Sequence, residues 1–335
     1  MKTFLELLEE TKEFTHENRA LSWFHLLFTF LVIAVSCYAT TVDSLPMTLR
    51  LISSLVMGLT IVRGFIIYHD YQHGAIFRAS KPAKWILSVY GVLVLNPPSI
   101  WKRSHNYHHK NNSQIVSSSI GSFPIMNKLD YMNAKTSTKI LYRLARNPLT
   151  ILFGYFTIFI IGMCLKSFLK DPKRHADSAI ALVVNLALTI YVAQFGAEIF
   201  FLSFFIPLFI SCAAGAYLFY IQHNFPDMKL KPRTEWSYLF AALYSSSYME
   251  ASWLMHWFTG NIGYHHVHHL NPLIPFYNLP RAMAAVPELQ NPGRTSLMPY
   301  DIYKCFKLKL WDEMAQKMVS FDQAFNSVEI LGQAN

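Results

Sequence analysis

The sequence predicts an all-α integral membrane protein with about four full transmembrane helices, additional interfacial or re-entrant helices, and a histidine-rich cap on the cytoplasmic side. Three observations lead to this fold class. The 335-residue chain is 53% hydrophobic and only 15% charged, with a mean hydropathy of +0.23. Several apolar runs reach the ~20 residues that an α-helix needs to cross a bilayer. Three clusters of histidines lie next to these runs.

Two apolar runs near the N-terminus predict the first spans, over residues 21–41 and 47–68. Residues 1–20 are acidic, with scattered lysines, and do not have the pattern of a secretory signal. His25 and Arg63 lie within or beside the two runs, where we expect their side chains to snorkel to the membrane interface.

The remaining apolar segments have to satisfy a parity condition, because the three histidine clusters can meet only on one side of the membrane. Residues 84–95 are too short to cross and predict an interfacial or re-entrant helix. Residues 148–168 predict a span, which places the polar turn 170–177 on the far side. The apolar run 179–222 must then make one net return, with its 179–194 portion along the far interface or in a half-hairpin. The total is four full crossings.

Basic residues indicate which side carries the histidines. Of the 29 Lys and Arg residues, 23 fall in segments on the predicted histidine side. Lys170, Lys173 and Arg174 are exceptions, because they lie in the turn predicted on the far side. The positive-inside rule makes the histidine side cytoplasmic, and we expect a bacterial inner membrane. We therefore divide the chain into a cytoplasmic N-terminal segment (1–20), a membrane domain with the histidine clusters (21–285) and a cytoplasmic C-terminal tail (286–335).

Other function classes lack their usual signals. The net charge of +9 is not concentrated in basic blocks interleaved with aromatic residues, so we do not expect a nucleic-acid partner. The four cysteines are far apart in sequence and predict neither a disulfide framework nor a CxxC metal site.

The spacing within the histidine clusters predicts metal binding. His69 and His73 are four residues apart, and two further clusters have the pattern HxxHH: His105, His108 and His109, then His265, His268 and His269. Residues three and four apart share one face of a helix, so each cluster should present its imidazoles in one direction. Imidazole suits iron, zinc and copper. One tetrahedral ion needs only four ligands, so two ions fit the count better. Interfacial anchoring is the alternative for any single cluster.

These clusters, with their flanking residues, resemble the membrane fatty acid desaturase family, and within it the acyl-lipid desaturase-like subgroup. The resemblance rests on HDYQH (69–73), on HNYHH (105–109), and on the third box NIGYHHVHHL (261–270) with its tail IPFYNLP (274–280). Gln222-His223-Asn224-Phe225 is similar to the QHxF motif of that subgroup. The resemblance covers roughly residues 45–285.

The resemblance implies an O2-dependent desaturase that inserts a cis double bond into a lipid-linked acyl chain. It implies two iron ions (Fe2+/Fe3+) as cofactor, and no catalytic residue beyond the metal ligands. The implied ligands are His69, His73, His105, His108, His109, His223, His265, His268 and His269, whereas His266 falls at a variable position. The acids that could orient these ligands are Asp70, Asp130, Asp227, Glu235 and Glu250.

Electrons must come from outside the chain, since no HPGG haem motif is present. A ferredoxin-like acidic protein is the expected partner. Basic residues on the histidine side form its expected docking surface, among them Lys102, Lys110, Lys229, Lys231 and Arg233.

The sequence departs from the family pattern at two places. Pro226 and Asp227 follow QHxF, where the subgroup has an acid sooner. Phe219 occupies the position at which animal acyl-CoA members place an Asn that holds a metal-bound water, and Asn224 or Asn261 could substitute for it.

Two other functions stay open at this point. The same site could perform hydroxylation, as in an alkane, sterol or carotenoid oxygenase. The chain could also be a non-enzymatic metal-binding membrane protein, although transporters usually place their ligands at the membrane midplane.

Overall fold

The computed structural model describes residues 2–114 and 123–325, so the end of the predicted tail, 326–335, lies outside the described residues. The described chain is mostly helical, as predicted. Its α-helices are α1 (Phe4–Thr11), α2 (Arg19–Thr41), α3 (Met47–His73), α4 (Lys81–Leu93), α5 (Pro98–Asn111), α6 (Lys128–Asn133), α7 (Thr136–Ala145), α8 (Pro148–Leu152), α9 (Lys166–Lys170), α10 (Ala176–Ala193), α11 (Ala197–Phe200), α12 (Ile206–Ile221), α13 (Tyr238–Tyr244), α14 (Trp253–Phe258), α15 (His265–Leu270), α16 (Leu279–Ala285) and α17 (Pro299–Lys307).

Short irregular and extended segments complete the fold. Within residues 2–114 and 123–325, two segments are π-helical: Tyr155–Leu165 between α8 and α9, and Phe201–Phe205 between α11 and α12. The strands β1 (Tyr248–Glu250) and β2 (Arg294–Ser296) pair in parallel, and β3 (Leu310–Asp312) and β4 (Lys317–Val319) pair antiparallel.

Among the described residues, four helices are long and apolar enough to cross a membrane: α2, α3, α10 and the continuous helix Ala197–Ile221 that contains α11 and α12. The predicted number of crossings is therefore confirmed. α3 and α12 pack closely at Gly58, where a Cβ atom would lie only 3.0 Å from the carbonyl oxygen of Pro207. A second contact joins the rings of Phe65 and Phe219, with centroids 6.1 Å apart, so the C-terminal halves of α3 and α12 also lie side by side.

The prediction that residues 148–168 cross the membrane was wrong. At the start of this segment, Nη2 of Arg146 donates to Oδ1 of Asn224 at 2.6 Å, one residue after His223. Just beyond its end, Nδ1 of His175 lies 2.7 Å from Oγ of Ser99, at the start of the histidine helix α5. Both ends of the segment therefore lie on the histidine side.

The segment instead dips into the apolar layer and returns. Within it, the Tyr155 hydroxyl donates to Oδ1 of Asn185 at 2.8 Å, close to the midpoint of α10. Because this segment returns to the histidine side, α10 supplies the crossing that the parity condition requires. The prediction that residues 179–194 lie along the far interface was therefore wrong. Hydropathy measures transfer into the membrane, and it does not distinguish a crossing from a re-entrant helix.

This correction also moves the turn at 170–177 from the predicted far side to the histidine side. The three basic residues of this turn therefore lie on the same side as most other Lys and Arg residues: Lys170, Lys173 and Arg174. They are no longer exceptions to the charge bias. The segment predicted over 84–95 is the short helix α4, which has 13 residues and is not among the candidate spans.

The expected snorkelling of Arg63 and His25 was also wrong. Arg63 is only 2% exposed. Its Nε donates to Oγ1 of Thr29 at 3.1 Å, its Nη1 donates to the carbonyl of Trp257, and its Nη2 lies 3.1 Å from Nδ1 of His25. The guanidinium carbon lies 4.4 Å from the centroid of the Trp257 ring. Arg63 therefore ties α2, α3 and α14 together inside the protein.

Candidate metal centre

The histidine clusters lie at or near the ends of helices that bring them together in one buried region. α3 ends directly after His73, because Gly74 adopts a left-handed conformation (φ 77°) and its N–H caps the helix. α5 and α15 carry the two HxxHH boxes. His223 follows the end of α12. Four separate segments thus supply imidazoles to one buried region.

The nine histidines predicted as ligands form two groups, and within each group the ligand atoms lie within 4.8 Å of one another. The five-histidine group contains His69, His73, His105, His109 and His268, and the four-histidine group contains His108, His223, His265 and His269.

Each HxxHH box is divided between the two groups. The pair four residues apart, His105 and His109, belongs to the five-histidine group, whereas the middle residue His108 belongs to the other. α15 shows the converse, because its outer pair lies in the four-histidine group and its middle residue, His268, in the five-histidine group. Our expectation that each cluster points in one direction was therefore too simple. Adjacent residues point about 100° apart around a helix, and one box can serve two ions.

The Nε2 atoms converge in a way that favours a cation. In the five-histidine group, Nε2 of His105 lies 2.8 Å from Nε2 of His69 and 3.1 Å from Nε2 of His109. In the four-histidine group, Nε2 of His265 lies 2.9 Å from Nε2 of His223 and 3.0 Å from Nε2 of His269. A neutral imidazole has one donor and one acceptor nitrogen, so such clusters cannot all be satisfied by sharing protons. A metal ion accepts every lone pair at once.

Burial keeps the rings outside the membrane-spanning helices neutral, as metal ligation requires. Burial lowers the pKa of His223 to about 4. Burial, assisted by the neighbouring histidines, also holds the pKa of His105, His108 and His265 well below the usual value. These rings are therefore unprotonated near neutral pH, with lone pairs available.

Hydrogen bonds at Nδ1 set the tautomers of two of the predicted ligands. Nδ1 of His69 lies 3.0 Å from Oδ1 of Asp70, and Nδ1–H of His223 donates to the carbonyl of Ser245 at 3.0 Å. Each bond leaves Nε2 of its ring free to face the group, as partners of metal-bound histidines generally do. Among the acids considered from sequence, only Asp70 lies at the site. The other four are exposed: Asp130, Asp227, Glu235 and Glu250.

The two residues considered as replacements for the Asn of the animal acyl-CoA members form hydrogen bonds elsewhere. Asn224 contacts Arg146 and donates to the carbonyl of Cys305 at 2.7 Å, and Asn261 donates to the carbonyl of Phe276 at 3.1 Å. Neither belongs to either group. His266, predicted to be outside the ligand set, is engaged elsewhere, because its Nε2 lies 3.0 Å from the carbonyl oxygen of Leu289.

Trp101 is a residue of the site that sequence reasoning missed. Its ring is fully buried and stacks on His105, with centroids 4.6 Å apart and planes inclined by 15°. Trp101 also contacts Phe65 and Phe219, at centroid distances of 4.9 and 5.6 Å. A signal existed in the sequence, because Trp101 precedes His105 by four residues and so shares its face of α5. These aromatic rings form an apolar wall beside the five-histidine group.

Comparison with known proteins assigns the chain to a group of relatives. The family model described as "Fatty acid desaturase" matches residues 46–300. A fatty acid desaturase of Bacillus subtilis (strain 168) is 34% identical over 278 residues, which cover 80% of this chain and 78% of that protein. An sn-1 oleoyl-lipid 12-desaturase of Anabaena variabilis is 21% identical over 83% of this chain and 79% of its own length. An endoplasmic reticulum omega-3 fatty acid desaturase of Vigna radiata var. radiata is 24% identical over 72% of this chain and 66% of its own length.

Proposed function

The chain belongs to the fatty acid desaturase family, and on that premise we propose that it inserts a cis double bond into a lipid-linked acyl chain at a centre of two iron ions held by its nine clustered histidines. The observation that carries the proposal is the division of these histidines into two adjacent groups of convergent Nε2 atoms. Two adjacent groups suit two ions, and the five nitrogen ligands of the larger group exceed the four that tetrahedral zinc takes.

The donor set fits iron in its chemistry. Imidazole ligates iron as well as zinc and copper, and neither group contains a thiolate or a carboxylate. Iron bound there would supply reductive activation of O2. Desaturation balances as one acyl CH2–CH2 unit, one O2, two electrons and two protons giving one CH=CH unit and two waters.

The protein's own residues prepare this site. Asp70 and the Ser245 carbonyl hold the rings of His69 and His223 in the tautomers that leave Nε2 unprotonated. Trp101 and Phe219 cover the five-histidine group with apolar surface on the side of α5. Such a wall excludes water and suits a methylene group that carries no polar handle.

The location follows from the same arrangement. The four helices of the described chain that are long and apolar enough to span a membrane indicate an integral membrane protein. We place the histidine groups at its cytoplasmic side. Most basic residues support this orientation, now including those of the turn after α9. Electrons would reach the groups from a soluble acidic donor such as a ferredoxin.

The test combines lipid analysis with metal analysis. The protein expressed in cells that lack their own desaturase should create one new class of cis-unsaturated acyl chain, and the purified active protein should contain about two iron ions per chain. Hydroxylated chains without new double bonds would instead show an oxygenase. Active protein with zinc alone, or with one ion per chain, would contradict the di-iron proposal. The His16→Ala variant is the matched control, since His16 is exposed and outside both groups.

A further inference from the structure

A large cleft lies on the face of α5 that points away from the histidines. Its volume is about 1440 Å³, and its walls are α5, α7 and the re-entrant segment that begins with α8 and ends with α9. α5 contributes residues spaced along one stripe: Ser99, Lys102, Arg103, Asn106, Tyr107 and Lys110. The histidines occupy the opposite stripe. The cleft exceeds the ~300–1,000 Å³ of common small-molecule sites, so it suits a ligand as large as a lipid.

The lining of this cleft carries an unbalanced positive charge. Its cationic residues are Lys102, Arg103, Lys110, Lys166, Lys170 and Arg174, and its lining contains no Asp or Glu. In the described part of the chain, no ion pair joins any of these six residues to a carboxylate. Six cations that face one space, with no carboxylate in its lining, favour an anionic ligand. We call this space the cationic cleft.

One part of the rim is held by a chain of hydrogen bonds. Oγ of Ser99 lies 2.5 Å from Oδ1 of Asp177 and 2.7 Å from Nδ1 of His175. Nη1 of Arg103 lies 3.4 Å from Nε2 of the same imidazole. This chain fixes the turn that carries Arg174 against the start of α5. The partner of the Arg103 guanidinium in this chain is an imidazole and not a carboxylate.

The floor and the inner end of the cationic cleft are apolar. Ile158, Ile161 and Met163 line the floor. Phe219 closes the inner end, and its ring packs on Trp101, which stacks on His105 of the five-histidine group. A ligand that fills the cleft would therefore have an anionic part at the rim and an apolar part directed at the histidines.

The outer wall indicates where such a ligand comes from. Leu141 and Leu144 of α7 line the cleft and are 67% and 53% exposed, and Leu149 of α8 is 62% exposed. Large apolar side chains exposed beside a re-entrant helix are those that contact lipid. The cationic cleft therefore has a bilayer-facing wall, through which a lipid can move sideways without entering water.

We propose that the cationic cleft binds the phosphate of a glycerophospholipid and directs one of its acyl chains past Phe219 to the histidine groups. This inference rests on the proposed function and specifies its substrate as a phospholipid. Lysine and arginine are the usual partners of phosphate. An acyl-coenzyme A is also anionic, but it would reach the rim from water and would not need a wall of exposed leucines.

The test reverses charge at the rim away from the metal ligands. The double variant Lys166→Glu/Lys170→Glu changes two exposed residues of α9. Turnover is measured in vesicles with a saturating electron donor, on phosphatidylglycerol, diacylglycerol and acyl-coenzyme A that carry the same chains. We expect the KM for phosphatidylglycerol to rise about tenfold or more, as for the loss of a charge-assisted contact. The kcat and the turnover of diacylglycerol should change little.

The matched control is Lys81→Glu/Lys84→Glu at the start of α4, which reverses two exposed charges outside the cleft. An equal rise of KM in this control would show only general attraction to the vesicle surface and would overturn the proposal. A loss confined to acyl-coenzyme A would overturn it as well. The single variant Arg174→Glu repeats the test from the turn, in case the double variant does not fold with its full metal content.

Lipid retention gives a readout that does not depend on turnover. Native mass spectrometry of the purified holoprotein should show phosphatidylglycerol bound in preference to diacylglycerol, and the Lys166→Glu/Lys170→Glu variant should lose this preference. Retention as expected without any new double bond would refute the proposed function and leave the cleft proposal intact. Normal desaturation with no preference in either protein would refute the cleft proposal alone.

Discussion

The carboxylate of Asp70 lies 3.0 Å from Nδ1 of His69, the residue that precedes it on α3. Its second oxygen, Oδ2, accepts the backbone N–H of Phe276 at 2.6 Å. Asp70 is only 1% exposed. One buried acid therefore connects His69 of the five-histidine group to the segment that follows the third histidine box, and it orients the His69 ring while it joins two parts of the site.

The Asp70→Asn variant should weaken metal binding. Asn offers only one acceptor oxygen, whereas Asp70 faces two donors, so its amide NH2 would meet either His69 Nδ1–H or the Phe276 N–H. Loss of such a partner typically costs about 10–100-fold in metal affinity. Iron content measured against increasing chelator should fall for one ion per chain. The control Asp227→Asn alters an exposed acid, and an equal loss there would contradict the assigned role.

Replacing His223 by Ala should abolish turnover while the fold survives. The variant removes one of the four imidazoles of the four-histidine group. Thermal unfolding in detergent and iron content are measured beside activity, with His16→Ala as the control. Near-normal turnover of His223→Ala would remove this residue from the ligand set.

Adjacent histidines of one box should serve different ions. The pair His108→Ala/His223→Ala removes two members of the four-histidine group, so about one iron per chain should remain. The pair His108→Ala/His109→Ala removes one member of each group, so both ions should be weakened. Elemental analysis after gel filtration in a weak chelator distinguishes them. Equal iron contents in the two double variants would show that the boxes are not divided as the geometry indicates.

The grouping of the nine histidines in one region could be predicted from the sequence, because residues three and four apart share one face of a helix. The path of the chain between the second and third boxes could not. The ends of segment 148–168 are held by contacts between residues far apart in sequence, Arg146 with Asn224 and His175 with Ser99. A hydropathy profile contains no such information. The only sequence signal was the positive charge at Lys170, Lys173 and Arg174, which contradicted the assigned side.

The corrected topology can be tested by labelling single cysteines. Lys173→Cys lies in the turn after α9, and Ser44→Cys lies in the loop between α2 and α3, both at exposed positions. A membrane-impermeant maleimide applied to vesicles should label these two positions from opposite sides, with Lys173→Cys on the same side as Lys229→Cys near His223. A variant without the native cysteines serves as the background. Labelling of both turns from one side would restore the crossing by residues 148–168.

Electron delivery should depend on the basic residues that follow α12. The backbone N–H of Lys229 donates to the carbonyl of Tyr244 at 3.0 Å, beside Ser245, whose carbonyl holds His223. This segment, with Lys231 and Arg233, thus lies next to the four-histidine group. Lys231 is partly balanced by Glu235 at 2.8 Å, whereas Arg233 is exposed and has no carboxylate partner among the described residues.

An acidic donor should approach this surface faster at low ionic strength, because opposite charges steer encounter and salt screens them over about 10 Å at 0.1 M. Reversal of all three charges, Lys229→Glu/Lys231→Glu/Arg233→Glu, should slow turnover with limiting ferredoxin and remove its salt dependence. Turnover with saturating donor should recover. The Lys81→Glu/Lys84→Glu variant should keep the wild-type salt profile. A wild-type rate that stays flat from low to physiological salt, matched by the reversed variant, would show that this surface does not dock the donor.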